Sequence, residues 1–286
     1  MITGLALIAA LSLASPQNEE SDMTVPASCQ VPLEQINYRT CADAAPKGSP
    51  VRSWALINLG TQAFITGDTA LAVSLYDEAT PKDGQQIYSD PMFHAFRGAA
   101  YHSVGRAEEA LTDARTSWEI LNGTRVVDPQ YPPSTDPAYR SFVLGFILPI
   151  LKTGNDPSFS AAFETYQGIT VDDTDALIRR ALVLDQLGDF TGSLAASEKA
   201  IERLPEDPYL KNNHCYTLVR AERAAEGLPY CEAAMASLPE SAPVRHSYAS
   251  ALAQMGRCDE ANQQMAEARR LDPASESYRE ELTCSE

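Results

Sequence analysis

Apolar and small residues return along this chain with the period of an amphipathic helix, and towards its C-terminus they return at a second, longer interval. Pro205, Pro239 and Pro273 stand 34 residues apart, as do Ala200, Ala234 and Ala268, then Leu184, Leu218 and Leu252, and Ala181, Cys215 and Ala249. Four columns in step from Thr174 to Ser275 imply one structural unit used three times. Upstream the pattern is looser. Leu56, Leu59, Gly60 and Ala63 share a helix face, Gly67 and Asp68 mark a turn, and Ala72, Tyr76 and Ala79 line a second helix. Gly98, Tyr101, Gly105, Ala110 and Ala114 take the corresponding places 38 residues on, which puts four extra residues around Pro81 to Pro91. From Gly105 to Gly154 the interval is 49, and the surplus falls on Leu121 to Pro137. There Pro129, Pro132, Pro133 and Pro137 exclude a continued helix. Phe142 to Leu151, almost wholly apolar with Pro149 inside, predicts a helix buried on more than one side. A partner helix is expected from Pro157, with Phe159, Phe163 and Tyr166 facing inward. Two residues break the later columns: Glu222 replaces a turn glycine, and Arg180 stands in an apolar column.

A 34-residue period with a small residue at position 8, an apolar one at 11, small residues at 20 and 27 and proline at 32 resembles the tetratricopeptide repeat. Gly-Arg-Ala-Glu-Glu-Ala at 105–110 matches that family's turn and second-helix start. The resemblance implies an all-α, right-handed superhelix, an α-solenoid of about six helix-turn-helix repeats. They fall near 53–86, 91–124, 140–173, 174–207, 208–241 and 242–275, within a repeat domain over 51–286 that ends in a capping helix at 276–286.

Composition places the chain among globular proteins, with 44% hydrophobic and 21% charged residues. Ile2 to Ala14 is an uncharged apolar run closed by Ser12-Leu13-Ala14, the form of a secretory signal over 1–14. It is too short to span a bilayer. Residues 15–50 read as a loosely structured leader with a short helical stripe from Val31 to Tyr38. A net charge of −17 argues against nucleic acid and anionic membrane surfaces as partners. Six cysteines in an exported chain imply three disulfides, and a periplasmic or secreted location. The resemblance puts Cys215 and Cys231 at repeat positions 8 and 24, columns that face each other across a helix pair. Cys29 and Cys41 are close in sequence and Cys258 and Cys284 remain, so the expected pairing is 29 with 41, 215 with 231, and 258 with 284.

In repeats of this kind the binding groove is lined by positions 2, 5, 9, 12 and 13 of each first helix. The polar and aromatic residues there are His102, Asp185, Gln186, Tyr209, Asn212, Tyr216, Arg220, His246 and Gln254. Tyr209, Asn212, Tyr216 and Arg220 recur on one helix at helical spacing, and tyrosine and arginine are frequent binding anchors. Together they suit an extended, partly acidic segment. The carboxylate clamp by which some relatives hold acidic tails of cytosolic chaperones is not matched, since of its required positions only Asn213 agrees. His94, His102, His214 and His246 lack neighbouring ligands at metal spacing, and no HExxH, CxxC, G-x-S-x-G, P-loop or dinucleotide fingerprint occurs. The expectation is therefore a non-enzymatic scaffold without metal or cofactor, holding a protein or extended peptide in the bacterial cell envelope. The alternative is a structural subunit of an envelope assembly that uses its convex face.

Overall fold

The computed structural model describes residues 25–30, 36–80, 90–127, 134–279 and 282–284. The expected signal segment, residues 15–24 and 31–35 of the leader with most of the Val31–Tyr38 stripe, the extra turn residues at 81–89 and the proline run at 128–133 lie outside them. The described residues hold thirteen α-helices and no strand. They form two compact units that divide between Ile169 and Thr170.

The first unit contains α1 (Tyr38–Ala44) and three helix pairs: α2 (Pro50–Ile65) with α3 (Thr69–Ala79), α4 (Pro91–Ser103) with α5 (Ala107–Leu121), and α6 (Pro137–Thr153) with α7 (Phe159–Gly168). The second contains α8 (Thr174–Gln186) with α9 (Phe190–Arg203), α10 (Pro208–Arg220) with α11 (Ala224–Ser237), and α12 (Ala242–Gln254) with α13 (Cys258–Leu271). In the second unit the first helices start at 174, 208 and 242 and their partners at 190, 224 and 258, so the 34-residue sequence period is the structural period.

Local chemistry sets the helix starts. Ser49, Asp90, Asp136 and Asp207 each accept a hydrogen bond from a first-turn amide, and a proline follows at the first helical position. Pro91 and Pro137, expected within inserted turns, are therefore helix initiators. Their missing N–H is one that no helix start can satisfy internally. Pro157 behaves differently: α7 begins at Phe159, because Asp156 turns the chain with hydrogen bonds from the Ser158 amide at 2.9 Å and its hydroxyl at 2.5 Å.

One device ends the first helix of every pair. Gly67, Gly105, Asn155, Gly188, Glu222 and Gly256 all have positive φ. The amide of each following residue reaches back to a carbonyl five positions earlier, as from Asp68 to Ala63 at 2.9 Å and from Arg223 to Leu218 at 2.8 Å. The third turn therefore pivots on Asn155 rather than on Gly154. The glycine is needed for space, since a Cβ there would lie 2.7 Å from Leu111 Cδ1.

Small residues let the paired helices close together. Ala72, Ala110, Ala114, Ala200, Ala234 and Ala268 are fully buried. Helix α6 is buried on several sides, as its apolar run predicts: Val143, Leu144, Ile147, Leu148, Ile150 and Leu151 are all in the core. Phe163 and Phe159 are only half-buried and stack on each other at 5.6 Å, while Tyr166 is fully inside. All three expected disulfides are closed, with Cα–Cα distances of 5.0 Å for Cys29–Cys41, 5.4 Å for Cys215–Cys231 and 5.8 Å for Cys258–Cys284. The expected C-terminal capping helix is instead a single 3-10 turn, Glu276–Tyr278, followed by non-helical residues 282–284. The Cys258–Cys284 bridge returns this tail onto the last pair, where Tyr278 and Leu282 cover Ala242, Ala249, Met265 and Ala268.

Candidate functional site

In the second unit α8, α9 and α10 line a small open cleft of about 60 Å³. On α8, Leu177, Ala181 and Leu184 are turned into the core, which leaves Ile178, Leu182 and Asp185 along the adjoining face. Across the cleft α10 presents Asn213 and Tyr216, and Leu210 closes its floor. Leu182 remains 42% exposed, an aliphatic side chain that folding leaves uncovered. The hydroxyls at the back of the cleft are already engaged. Ser193 Oγ donates to Ala181 O at 2.8 Å, and Ser197 Oγ lies 2.7 Å from His214 Nδ1. Burial lowers the pKa of His214, which favours its neutral ring beside that hydroxyl and against Tyr230.

The structure brings three of the expected site residues together at this cleft. Arg220 donates to Asp185 Oδ2 and, at 3.2 Å, to the Asp185 main-chain oxygen, and its guanidinium stands 5.1 Å from the Phe190 ring centre. Its charge is thus neutralised within the unit and is not held out to an acidic ligand. Tyr216 leans on His246 at 5.6 Å, and His246 on Tyr278 at 5.3 Å, so these rings form a row from α10 across α12 to the C-terminal turn. Tyr209, at the start of α10, is 58% exposed. Asn212 departs from expectation. It is 8% exposed, its Nδ2 lies 3.5 Å from Asn213 Oδ1, and its own Oδ1 is buried without a hydrogen-bond partner. Gln254 donates to Val219 O at 2.7 Å, Gln186 is exposed, and His102 is half-buried in the other unit. Ile178, Leu182 and Asn213 fall outside the expected set, the first two because they are aliphatic and Asn213 because it lies at repeat position 6; the signal of Ile178 and Leu182 is an apolar pair four apart outside the buried stripe.

The first unit carries a buried ionic cluster that sequence reasoning also missed. Arg97 grips Asp113 through Nε and Nη2, both at 2.7 Å, and reaches Thr80 Oγ1 at 2.7 Å, while His94 Nδ1 lies 2.9 Å from Asp113 Oδ1. Burial pushes the Asp113 carboxyl up, but the hydrogen bonds from Arg97 and His94 outweigh it and hold the group below the usual carboxylate range. Nearby, Tyr101 donates to Asp77 Oδ1 at 2.8 Å and Arg106 to Asp77 Oδ2 at 2.7 Å. Every strong donor in this cluster is spent on a protein acceptor, which fits a tie between α3, α4 and α5. Asp113 was legible in principle, as an acid three residues after Ala110 and four before Ser117 on the buried stripe of α5. Among the described residues no group of three or more His, Cys, Asp or Glu is placed to hold a metal ion, and no helix is long and apolar enough to cross a membrane.

No family model and no curated protein matches the chain. Among solved structures it is similar to a tetratricopeptide repeat protein from Parabacteroides merdae, at 15% identity over 85% of this chain and 87% of that one, with a TM-score of 0.56. It is also similar to a chain of the APC/C hetero-tetramer Cut9-Hcn1, at 10% identity over 85% of this chain and 43% of that one, with a TM-score of 0.55. With the helix pairs and the common turn described above, these likenesses establish the fold: the chain has the tetratricopeptide-repeat fold.

Proposed function

We propose that this protein is a binding scaffold of the bacterial cell envelope, exported by its N-terminal apolar segment, and that it holds an extended segment of a protein partner in the cleft between α8 and α10. The observation that carries the reading is exposed Leu182 and half-buried Tyr216 on the lining of the cleft, with exposed Tyr209 about two turns away on the same side of α10. Aromatic and aliphatic anchors at the mouth of a pocket are where protein interfaces concentrate their energy. Three closed disulfides fit an oxidising compartment. Binding is favoured over catalysis because the cleft's hydroxyls, its histidine neighbour and its arginine are all engaged in internal contacts. Asp185, Tyr209, Tyr216, Arg220 and His246 are assigned to this surface. Asn212 is not, and His102 belongs to any second contact made by the first unit.

Replacing Leu182 and Tyr216 together with alanine tests the assignment. Capture of the native envelope partner should weaken by about 2 kcal/mol or more if both are anchors. Helix content and melting temperature should stay close to wild type. Undiminished capture would move the interface to the outer helices and favour the structural-subunit reading.

A further inference from the structure

The acceptors and donors around the α8–α10 cleft are not balanced, and the imbalance says what kind of segment fits it. The Arg220 guanidinium beside it is bound to Asp185 Oδ2 and to the Asp185 main-chain oxygen. The Ser193 hydroxyl donates to Ala181 O, the Ser197 hydroxyl contacts His214, and the Asn213 carboxamide oxygen faces Asn212 Nδ2. Of the buried side-chain atoms on the cleft's lining, the one left without a hydrogen-bond partner is an acceptor, Asp185 Oδ1. A shielded carboxylate oxygen without a donor is costly, and a ligand N–H that reaches it recovers that cost. Access depends on Arg220, a long side chain at 36% exposure that can shift to admit a second donor beside it. Beside the carboxylate, Ile178, Leu182 and Leu210 offer room for an aliphatic side chain. The field around the site has the same sense, since residues 170–286 carry 12 Lys and Arg against 21 Asp and Glu.

We infer that the cleft selects an extended, basic segment in which an aliphatic side chain fills the Ile178–Leu182–Leu210 floor and a flanking lysine or arginine donates to Asp185. The selectivity is thus opposite to the one that Arg220 suggests when the sequence is read alone. This inference rests on the cleft being the binding surface, and it adds the charge of the occupant.

The test uses three fluorescent nonapeptides with leucine at the centre and, on either side of it, lysine, serine or glutamate, titrated into the oxidised full-length protein at about 50 mM salt. The lysine peptide should bind at least about tenfold more tightly than the glutamate peptide, with the serine peptide between them. Asp185→Ala removes the acceptor and releases Arg220, so this variant should reverse the order and prefer the glutamate peptide. Equal or tighter binding of the glutamate peptide by the wild type would overturn the charge inference while leaving the cleft as the site, provided that Leu182→Ala with Tyr216→Ala still abolishes it. Binding of none of the three, or binding indifferent to that double substitution, would overturn the cleft reading and this inference with it. Unchanged order in a folded Asp185→Ala protein would overturn the role given to Asp185.

Discussion

Glu222 shows what a single residue contributes to this architecture. It has φ of 60° at the turn between α10 and α11, where the 34-residue register has Gly188 before it and Gly256 after it. A side chain in the left-handed region costs about 1–2 kcal/mol relative to glycine, part of which glycine loses again through its freer unfolded chain. Glu222→Gly should therefore raise stability by about 1 kcal/mol, seen as a higher urea midpoint with an unchanged slope. Asn155→Gly, at the equivalent turn of the first unit, should gain less, because asparagine tolerates this conformation. Glu222→Ala should not reproduce the gain. At this scale the sequence was readable wherever a residue departs from its column, and Glu222 stood out for that reason. Asn212 was misjudged by angle. At 3.6 residues per turn it points about 80° away from Arg220, whereas Asn213 points only about 20° away, and it is Asn213 that lines the cleft.

Among the elements, the clearest were those whose repeat is undisturbed. Helices α8 to α13 start in strict register because their turns are equal in length, and their buried alanines fall in the columns that the sequence displays. Insertions shift the pairs of the first unit, and prolines that start α4 and α6 resemble the prolines of the loops before them. The C-terminal cap is the element that composition misjudged: its fold comes from a covalent tie and a buried tyrosine rather than from helix propensity. That tie differs from the one inside the α10–α11 pair. Cys215 and Cys231 are fully buried, while Cys258 and Cys284 are both half-exposed. A small dithiol should therefore reduce Cys258–Cys284 first, as read by alkylation and peptide mapping of the folded protein. Loss of that 26-residue link should cost at most about 3.5 kcal/mol by loop-closure entropy. The second unit should remain folded, with the tail around Tyr278 more open to hydrogen exchange. Reduction of Cys215–Cys231 at the same rate would contradict the protection that its burial confers.

For the molecule as a whole, the fold could be read from four residue columns, whereas the site could be read only in part. A repeat advertises its packing residues because each copy must solve the same packing problem. Its binding residues differ from copy to copy, so Ile178 and Leu182, although at groove positions 5 and 9 of their repeat, carried only the weak signal of an apolar pair outside the buried stripe. The net charge of −17 pointed to solubility and excluded some partners, but the balance of donors and acceptors at the cleft emerged only once Arg220 was seen to spend its charge on Asp185. A partner is expected to lie in this cleft. Site-specific photocrosslinking in cells of the source organism tests this, with the photoreactive residue placed at Leu182 in the cleft or at Lys199 on the exposed face of α9. Position 182 should yield a discrete crosslinked partner, competed by the lysine peptide, and position 199 none. A partner captured from position 199 and not from 182 would contradict this.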